Sequence, residues 1–204
     1  MRNGSGFTLL ELIIVLFILG IVAGAVAYSG GRSGERAAVI TTLEEMGEIK
    51  KAIRGEGGYG FYPDLGLIPE DPTSHEYATR YLCLKDDGAG SNEHTEMHDF
   101  LVATLGSAEA DKLIKWDKYN RKGWRGPYIE PDKKYDAGGN KYFPLLSDAW
   151  GNYYRIKMDS SQDKDSARIV SFGANGKDNG GSEDDILMWI FGTNPVRLPD
   201  GFTL

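Results

Sequence analysis

Cysteine is nearly absent: Cys83 is the single cysteine in 204 residues, so no intrachain disulfide can form. That excludes disulfide-stapled folds and says little about compartment, because exported proteins also do without disulfides. Positive charge is scarce too. Against 30 acidic side chains stand 23 Lys and Arg, for a net charge of −7. This argues against nucleic-acid binding, which needs a basic face for the phosphates. Catalytic signals are equally thin. The sequence contains no Gly-x-Ser-x-Gly elbow. Its three histidines are His75, His94 and His98, and none stands in a recognisable catalytic setting. His94 and His98, with Glu96 between them and Cys83 upstream, are residue types that can hold a transition metal. They do not spell His-Glu-x-x-His, so a zinc-protease reading fails, and solvated loop histidines are the plainer account. The chain is therefore expected not to be an enzyme, with an anchored or secreted hydrolase as a remote alternative. The length suits one modest domain plus an appendage.

Charge is also missing from the amino-terminal end, where residues 1–28 carry only Arg2 and Glu11. From Phe7 to Tyr28 the chain is apolar apart from Thr8, Glu11 and small residues. As a helix these 22 residues would extend about 33 Å at ~1.5 Å per residue, enough for a hydrocarbon core of roughly 30 Å. One reading is a conventional secretory signal cut after Ala25-Val26-Ala27, leaving a soluble chain that starts at Tyr28. Glu11 speaks against it. A carboxylate in an apolar segment costs a few kcal/mol when held deep in lipid, and a signal peptide has no use for one.

Gly6-Phe7-Thr8-Leu9-Leu10-Glu11 resembles the cleavage signature of type IV prepilins and type II secretion pseudopilins. The resemblance implies a cut after Gly6 by a prepilin peptidase, methylation of the new amine at Phe7, and an assembly role for Glu11. The physics fits that role. The new amine lies four residues from Glu11, and inside a bundle of apolar helices neither the amine nor a carboxylate has water. Pairing one subunit's amine with a neighbour's Glu11 removes both penalties and sets the register. Many members carry a proline where this chain has Tyr28. Here Gly20, Gly24, Gly30, Gly31 and Gly34 weaken the helix instead, each by about 1 kcal/mol relative to alanine. Close packing of small residues against neighbouring helices is the other account of these glycines.

Helical periodicity returns from Glu35 to about Arg54, where Val39, Ile40, Leu43, Met46, Ile49 and Ile53 fall three or four apart. The cluster Gly55, Gly57, Gly58 and Gly60 should stop this helix. Phe61-Tyr62-Pro63-Asp64 should open a loop resembling the turn that follows the long helix in major pseudopilins. Between residues 65 and 125 the pattern is weak, and a helix over Asp99–Ile114 is the main expectation. Gly126-Pro127-Tyr128-Ile129 and Ser147-Asp148-Ala149-Trp150-Gly151-Asn152-Tyr153-Tyr154 again resemble major pseudopilin segments, with Ala149 where proline is usual. Tyr153–Lys157 and Ala167–Phe172 read as an antiparallel strand pair joined by a polar loop, Asp159 to Ser166.

Residues 171–189 crowd acids, asparagines and glycines into one loop. Oxygen ligands on a flexible turn suit Ca²⁺, which takes six to eight of them, and the EF-hand pattern is absent. The stretch resembles the calcium loop of type II secretion major pseudopilins. The resemblance implies side-chain ligands Asn175, Asp184 and Asp185 and backbone carbonyls from Phe172 and Ser182. Asn175 stands where an aspartate is usual and the loop is longer; Asp178 can replace the missing charge. A solvated acidic turn is the alternative.

These readings give an α+β, type IV pilin-like fold: a long N-terminal helix packed on a small antiparallel sheet. The expected organisation is a leader at 1–6, a transmembrane half-helix at 7–28, an amphipathic half at 29–55 and a periplasmic head at 56–204. The resemblance implies a single-pass inner-membrane protein whose partners are the membrane, the prepilin peptidase, copies of itself in a pseudopilus, minor pseudopilins and an inner-membrane assembly platform. The major subunit of a type IV pilus is the alternative within that superfamily. Such heads usually close a C-terminal disulfide loop, which one cysteine cannot form.

Overall fold

The computed structural model describes residues 9–70, 78–85, 91–131, 133–136 and 142–203, with side chains described outside 25–33, 133–136 and 142–144. The leader, Gly6, Phe7 and His75 lie outside the described residues. The chain is α+β and divides into two compact units, Met1–Ile40 and Thr41–Leu204. Leu9–Arg54 (α1) is one unbroken helix. The glycine-rich stretch leaves it continuous. A glycine weakens a helix but keeps its N–H, whereas proline would remove the donor.

Within the second unit, α1 buries Thr42, Met46, Ile49 and Ile53 at the three- and four-residue spacing the sequence predicts, with Leu43 half-buried. Ile40, expected in the same stripe, is exposed. The helix stops where the glycines begin. Gly55 takes φ +79°, and its N–H still reaches the Lys51 carbonyl at 2.7 Å. A β carbon at Gly55 would lie 2.6 Å from the Pro63 ring, so this turn needs a glycine on two counts.

Phe61–Leu65 (α2) forms a helical turn where the sequence suggested a loop. Arg80–Cys83 (α3) follows. The helix expected over Asp99–Ile114 is two: Asn92–Leu105 (α4) and Ser107–Leu113 (α5). Gly106, at φ 86° and ψ 160°, separates them. Helix α4 begins upstream of the expected start because the Ser91 hydroxyl accepts from the His94 N–H at 3.1 Å, an N-cap that satisfies one orphan donor.

The strands are Lys133–Asp136 (β1), Tyr142–Leu145 (β2), Arg155–Lys157 (β3), Arg168–Ser171 (β4) and Ile186–Trp189 (β5). The first two form a separate antiparallel pair, and the last three make an antiparallel sheet in the order β3-β4-β5. Ile156 faces Ile169, which in turn faces Met188. All three are buried, as are Val170 and Ile186. The expected strand pair is present with trimmed ends, and β5 extends it. The span 171–189 thus takes in the last residue of β4, the β4–β5 connection and β5.

Candidate functional site

The β4–β5 connection is held from below by a preceding turn. Asp148, which is buried, accepts from the Trp150 and Asn152 N–H groups at 3.0 and 2.8 Å. Its other oxygen accepts from the Ser171 hydroxyl at 2.6 Å. The Asn152 amide donates to the Gly173 carbonyl at 2.6 Å, which anchors the start of the connection. Gly173 has φ +56°, and a β carbon there would come within 2.2 Å of the Asp184 carbonyl oxygen. Only glycine lets Asp184 lie this close.

Asp184 and Asn175 meet across the connection. The Asp184 carboxylate accepts from the Asn175 N–H at 2.6 Å and from its amide nitrogen at 2.5 Å. The same amide nitrogen donates to the Asn179 side-chain oxygen at 3.0 Å, while the Asn175 side-chain oxygen accepts from the Lys177 N–H at 2.6 Å.

Asp185 is buried inside the connection. Its Oδ2 accepts from the N–H groups of Asn179 at 3.0 Å and Gly181 at 2.8 Å. Its Oδ1 is buried and has no hydrogen-bond partner among the described residues. Burial pushes the Asp185 carboxyl above its ordinary pKa; the two N–H donors oppose this, and the nearby charges of Asp178 and Asp184 add to it. A buried carboxylate with an unsatisfied oxygen is the kind of group a cation completes.

Two predicted backbone donors are placed less decisively. The Ser182 carbonyl accepts from the Asp185 N–H at 3.1 Å, and its hydroxyl donates to the Asn179 carbonyl at 2.6 Å. The Phe172 ring lies under the Arg155 and Lys157 cations, at 5.5 and 5.3 Å from its centroid. Asp178, the substitute charge the sequence offered, is taken by Lys157, whose hydrogen bond holds the Asp178 carboxyl below its ordinary pKa. The structure therefore brings Asn175, Asp184 and Asp185 into one connection and draws Asp178 to its edge. Among the described residues no three His, Cys, Asp or Glu side chains converge as a metal-binding group. Carboxylates alone do not make a site; amide and carbonyl oxygens would have to complete it, which is the mixed donor set Ca²⁺ tolerates.

Among the described residues, His94, His98 and Cys83 are not gathered into one cluster. His98 pairs with Asp111 at 3.0 Å, the His94 ring stands edge-on to Trp124, and Cys83 is buried.

At the other end, Glu11 lies in the first turn of α1. The large apolar residues from Leu9 to Val22 are all exposed in the single chain, Phe17 by 70%. Such a surface needs a cover other than water. Among the described residues no helix is long and apolar enough to cross a membrane. The apolar run with described side chains ends at Gly24, and the span expected at 7–28 extends beyond it on both sides.

Residues 1–27 match the prokaryotic N-terminal methylation motif. The motif supports a membrane-anchored protein of type IV pilin-like character, processed by a prepilin peptidase. A second similarity is of another kind. The chain is 32% identical over 89 residues to an adenine phosphoribosyltransferase of Methylobacillus flagellatus, covering 40% of this chain. It spans about half the length of that protein (51%). No solved structure matches the chain.

Sequence reasoning missed Asn179, Lys157 and Asp200. Asn179 receives from Asn175 and donates to the Glu183 carboxylate at 3.0 Å. The acid-and-amide composition of the stretch already hinted at it, whereas Lys157 and Asp200 lie outside the motif.

Proposed function

We propose that the chain is a structural subunit that polymerises into the periplasmic pseudopilus of a type II secretion system and drives export of folded proteins. The observation that carries this reading is the methylation motif at residues 1–27, which includes the exposed apolar residues Leu9 to Val22 of α1. Mature subunits would be anchored singly in the inner membrane with the head in the periplasm. They would pack their apolar helices against lipid and against one another, with minor pseudopilins and an inner-membrane platform as partners. The type IV pilin-like fold belongs to the same reading.

The β4–β5 connection supports calcium as the resident ion of the head. Asp185, with its unsatisfied buried oxygen, and Asp184 would hold it, aided by the Asn175 side chain and by the Phe172 and Ser182 carbonyls. Bound there, calcium would supply the positive charge that the buried carboxylate lacks. The single cysteine favours secretion over a type IV pilus, because a disulfide-closed head loop is impossible.

The test is processing followed by export. In a host with a prepilin peptidase, mass spectrometry should show a mature chain beginning at methylated Phe7. The same gene should restore release of exported proteins in a strain lacking its major pseudopilin. A chain starting at Tyr28 defeats the reading, and surface filaments without export would move it to a type IV pilus. The partial similarity to an adenine phosphoribosyltransferase favours one further reading, transfer of a phosphoribosyl group to adenine. Turnover of adenine by the purified chain would establish it.

A further inference from the structure

The chain beyond β5 turns back along that strand. Leu187 and Arg197 exchange both backbone hydrogen bonds, at 3.0 and 2.9 Å. Further on, Asp200 closes over Glu183. Its N–H donates to the Glu183 carbonyl at 2.6 Å, and its carboxylate accepts the Glu183 N–H at 3.1 Å. One residue of the C-terminal segment thus satisfies both backbone polar groups of Glu183.

Glu183 is an unusual residue to hold. It has φ +57°, in the left-handed region where a β carbon crowds the backbone and non-glycine residues are disfavoured. Such a conformation persists only where the surroundings determine it. It stands immediately before Asp184 and Asp185, so its backbone angles set the direction in which both carboxylates leave the turn. Its own carboxylate is held by the Asn179 amide. The independent sign that this turn awaits a ligand is the buried, unpartnered Oδ1 of Asp185, whose other oxygen already accepts from the loop.

We propose that Asp200 is a positioning residue for a calcium-type cation in the β4–β5 connection: the C-terminal segment clamps Glu183 in its left-handed turn, so cation binding and docking of that segment are coupled. This rests on the calcium reading given above. Coupling is reciprocal. If the docked segment sets the carboxylates for the cation, the cation must in turn hold the segment down.

The experiment uses the full-length chain in detergent, with calcium chloride as the probe. Calorimetric titration compares the parent with Asp200→Ala, Asp200→Asn and Asp185→Ala. In parallel, carboxypeptidase digestion with and without calcium follows release of the residues after Arg197. Asp200→Ala is expected to weaken calcium binding about tenfold, within the range typical of coupled sites. Asp200→Asn keeps an oxygen acceptor for the Glu183 N–H and should recover most of that loss, whereas a simple charge effect would leave both variants equally weak. Calcium should slow digestion of the parent's C-terminal segment and have no such effect on Asp185→Ala. A parent that binds no calcium overturns the calcium reading and this inference with it. A parent that binds, with Asp200→Ala unchanged or its tail unprotected by calcium, overturns the coupling and leaves the calcium reading standing. Should Asp200→Ala fail to fold, the digestion of the parent alone decides.

Discussion

Asp64 is fully buried; the Arg125 guanidinium answers its charge, and the Tyr128 phenol hydrogen-bonds it as well. Arg125 donates to it from Nε at 2.7 Å and from Nη2 at 2.8 Å, and Nη2 also reaches the Gly58 carbonyl at 2.6 Å. The guanidinium lies 4.0 Å from the Trp116 ring centroid and 4.6 Å from that of Tyr59. Planar stacking and a forked donor are properties of arginine that lysine lacks. Arg125→Ala should therefore destabilise the head by about 3–5 kcal/mol, because it strands a buried carboxylate, and Arg125→Lys should recover only part. Urea unfolding in detergent checks this; a loss below about 1 kcal/mol would class the pair with ordinary surface bridges. None of it was legible in the sequence, since the partners are 61 positions apart. The same rule divides the candidate cation site. Asn175, Asp184 and Asp185 were legible because they share one short motif. Lys157, which removes Asp178, lies 21 positions away, and Asp200 sits 17 positions beyond Glu183.

At the scale of elements, legibility followed periodicity and length. The C-terminal half of α1 was readable because its buried residues repeat every three or four positions and a glycine cluster ends it. Strand β5 was hidden because Ile186–Trp189 is too short to show alternation and follows a loop whose composition dominates the window. Strands β1 and β2 have the same weakness. The α4–α5 break turns on Gly106, which a pattern of apolar spacing passes over. Two hydrogen bonds tie the segment before β3 to α1. The Tyr154 hydroxyl, just before β3, donates to the Glu45 carboxylate at 2.6 Å, and the Ala149 N–H reaches the Thr42 hydroxyl at 3.2 Å. Burial, then the Glu45 bond and charge, push the Tyr154 phenol far above its ordinary pKa. The folded state holds this proton more tightly than the unfolded chain, which releases it near pH 10. Stability from Tyr154 is thus complete below about pH 10 and is lost as pH rises above it. Tyr154→Phe should lower stability at neutral pH by about 1 kcal/mol for the lost hydrogen bond. It should also flatten the fall in stability above about pH 10. Thermal melts between pH 7 and 11 measure both, and an unchanged alkaline slope would mean the phenol is not protected.

For the whole molecule the question is what a single apolar helix gains by carrying Glu11. The Met1–Ile40 unit presents an apolar surface along α1, and exposed residues such as Leu10, Phe17 and Ile21 suit lipid or a neighbouring helix equally well. Apolar contact alone is non-directional, so it cannot choose an axial register between copies. A carboxylate can. Removal of the leader after Gly6 would place a new amine at Phe7, and a neighbouring subunit's Glu11 would be its partner in the bundle. Glu11→Ala should leave membrane insertion and cleavage intact, since a charge in the span costs a few kcal/mol and its removal eases insertion. Assembly should fail nonetheless. Stranding the incoming amine costs about 3–5 kcal/mol per subunit, which weakens each addition by roughly a hundredfold or more. Glu11→Gln keeps a hydrogen-bond acceptor but not the charge, and should assemble poorly, whereas Glu11→Asp should recover part of the yield. Sheared-filament yield, normalised to cleaved subunit in the membrane, is the measurement. Filaments from Glu11→Ala at the parent's level would show that apolar packing alone sets the register, and the pairing of amine and carboxylate would have to be abandoned.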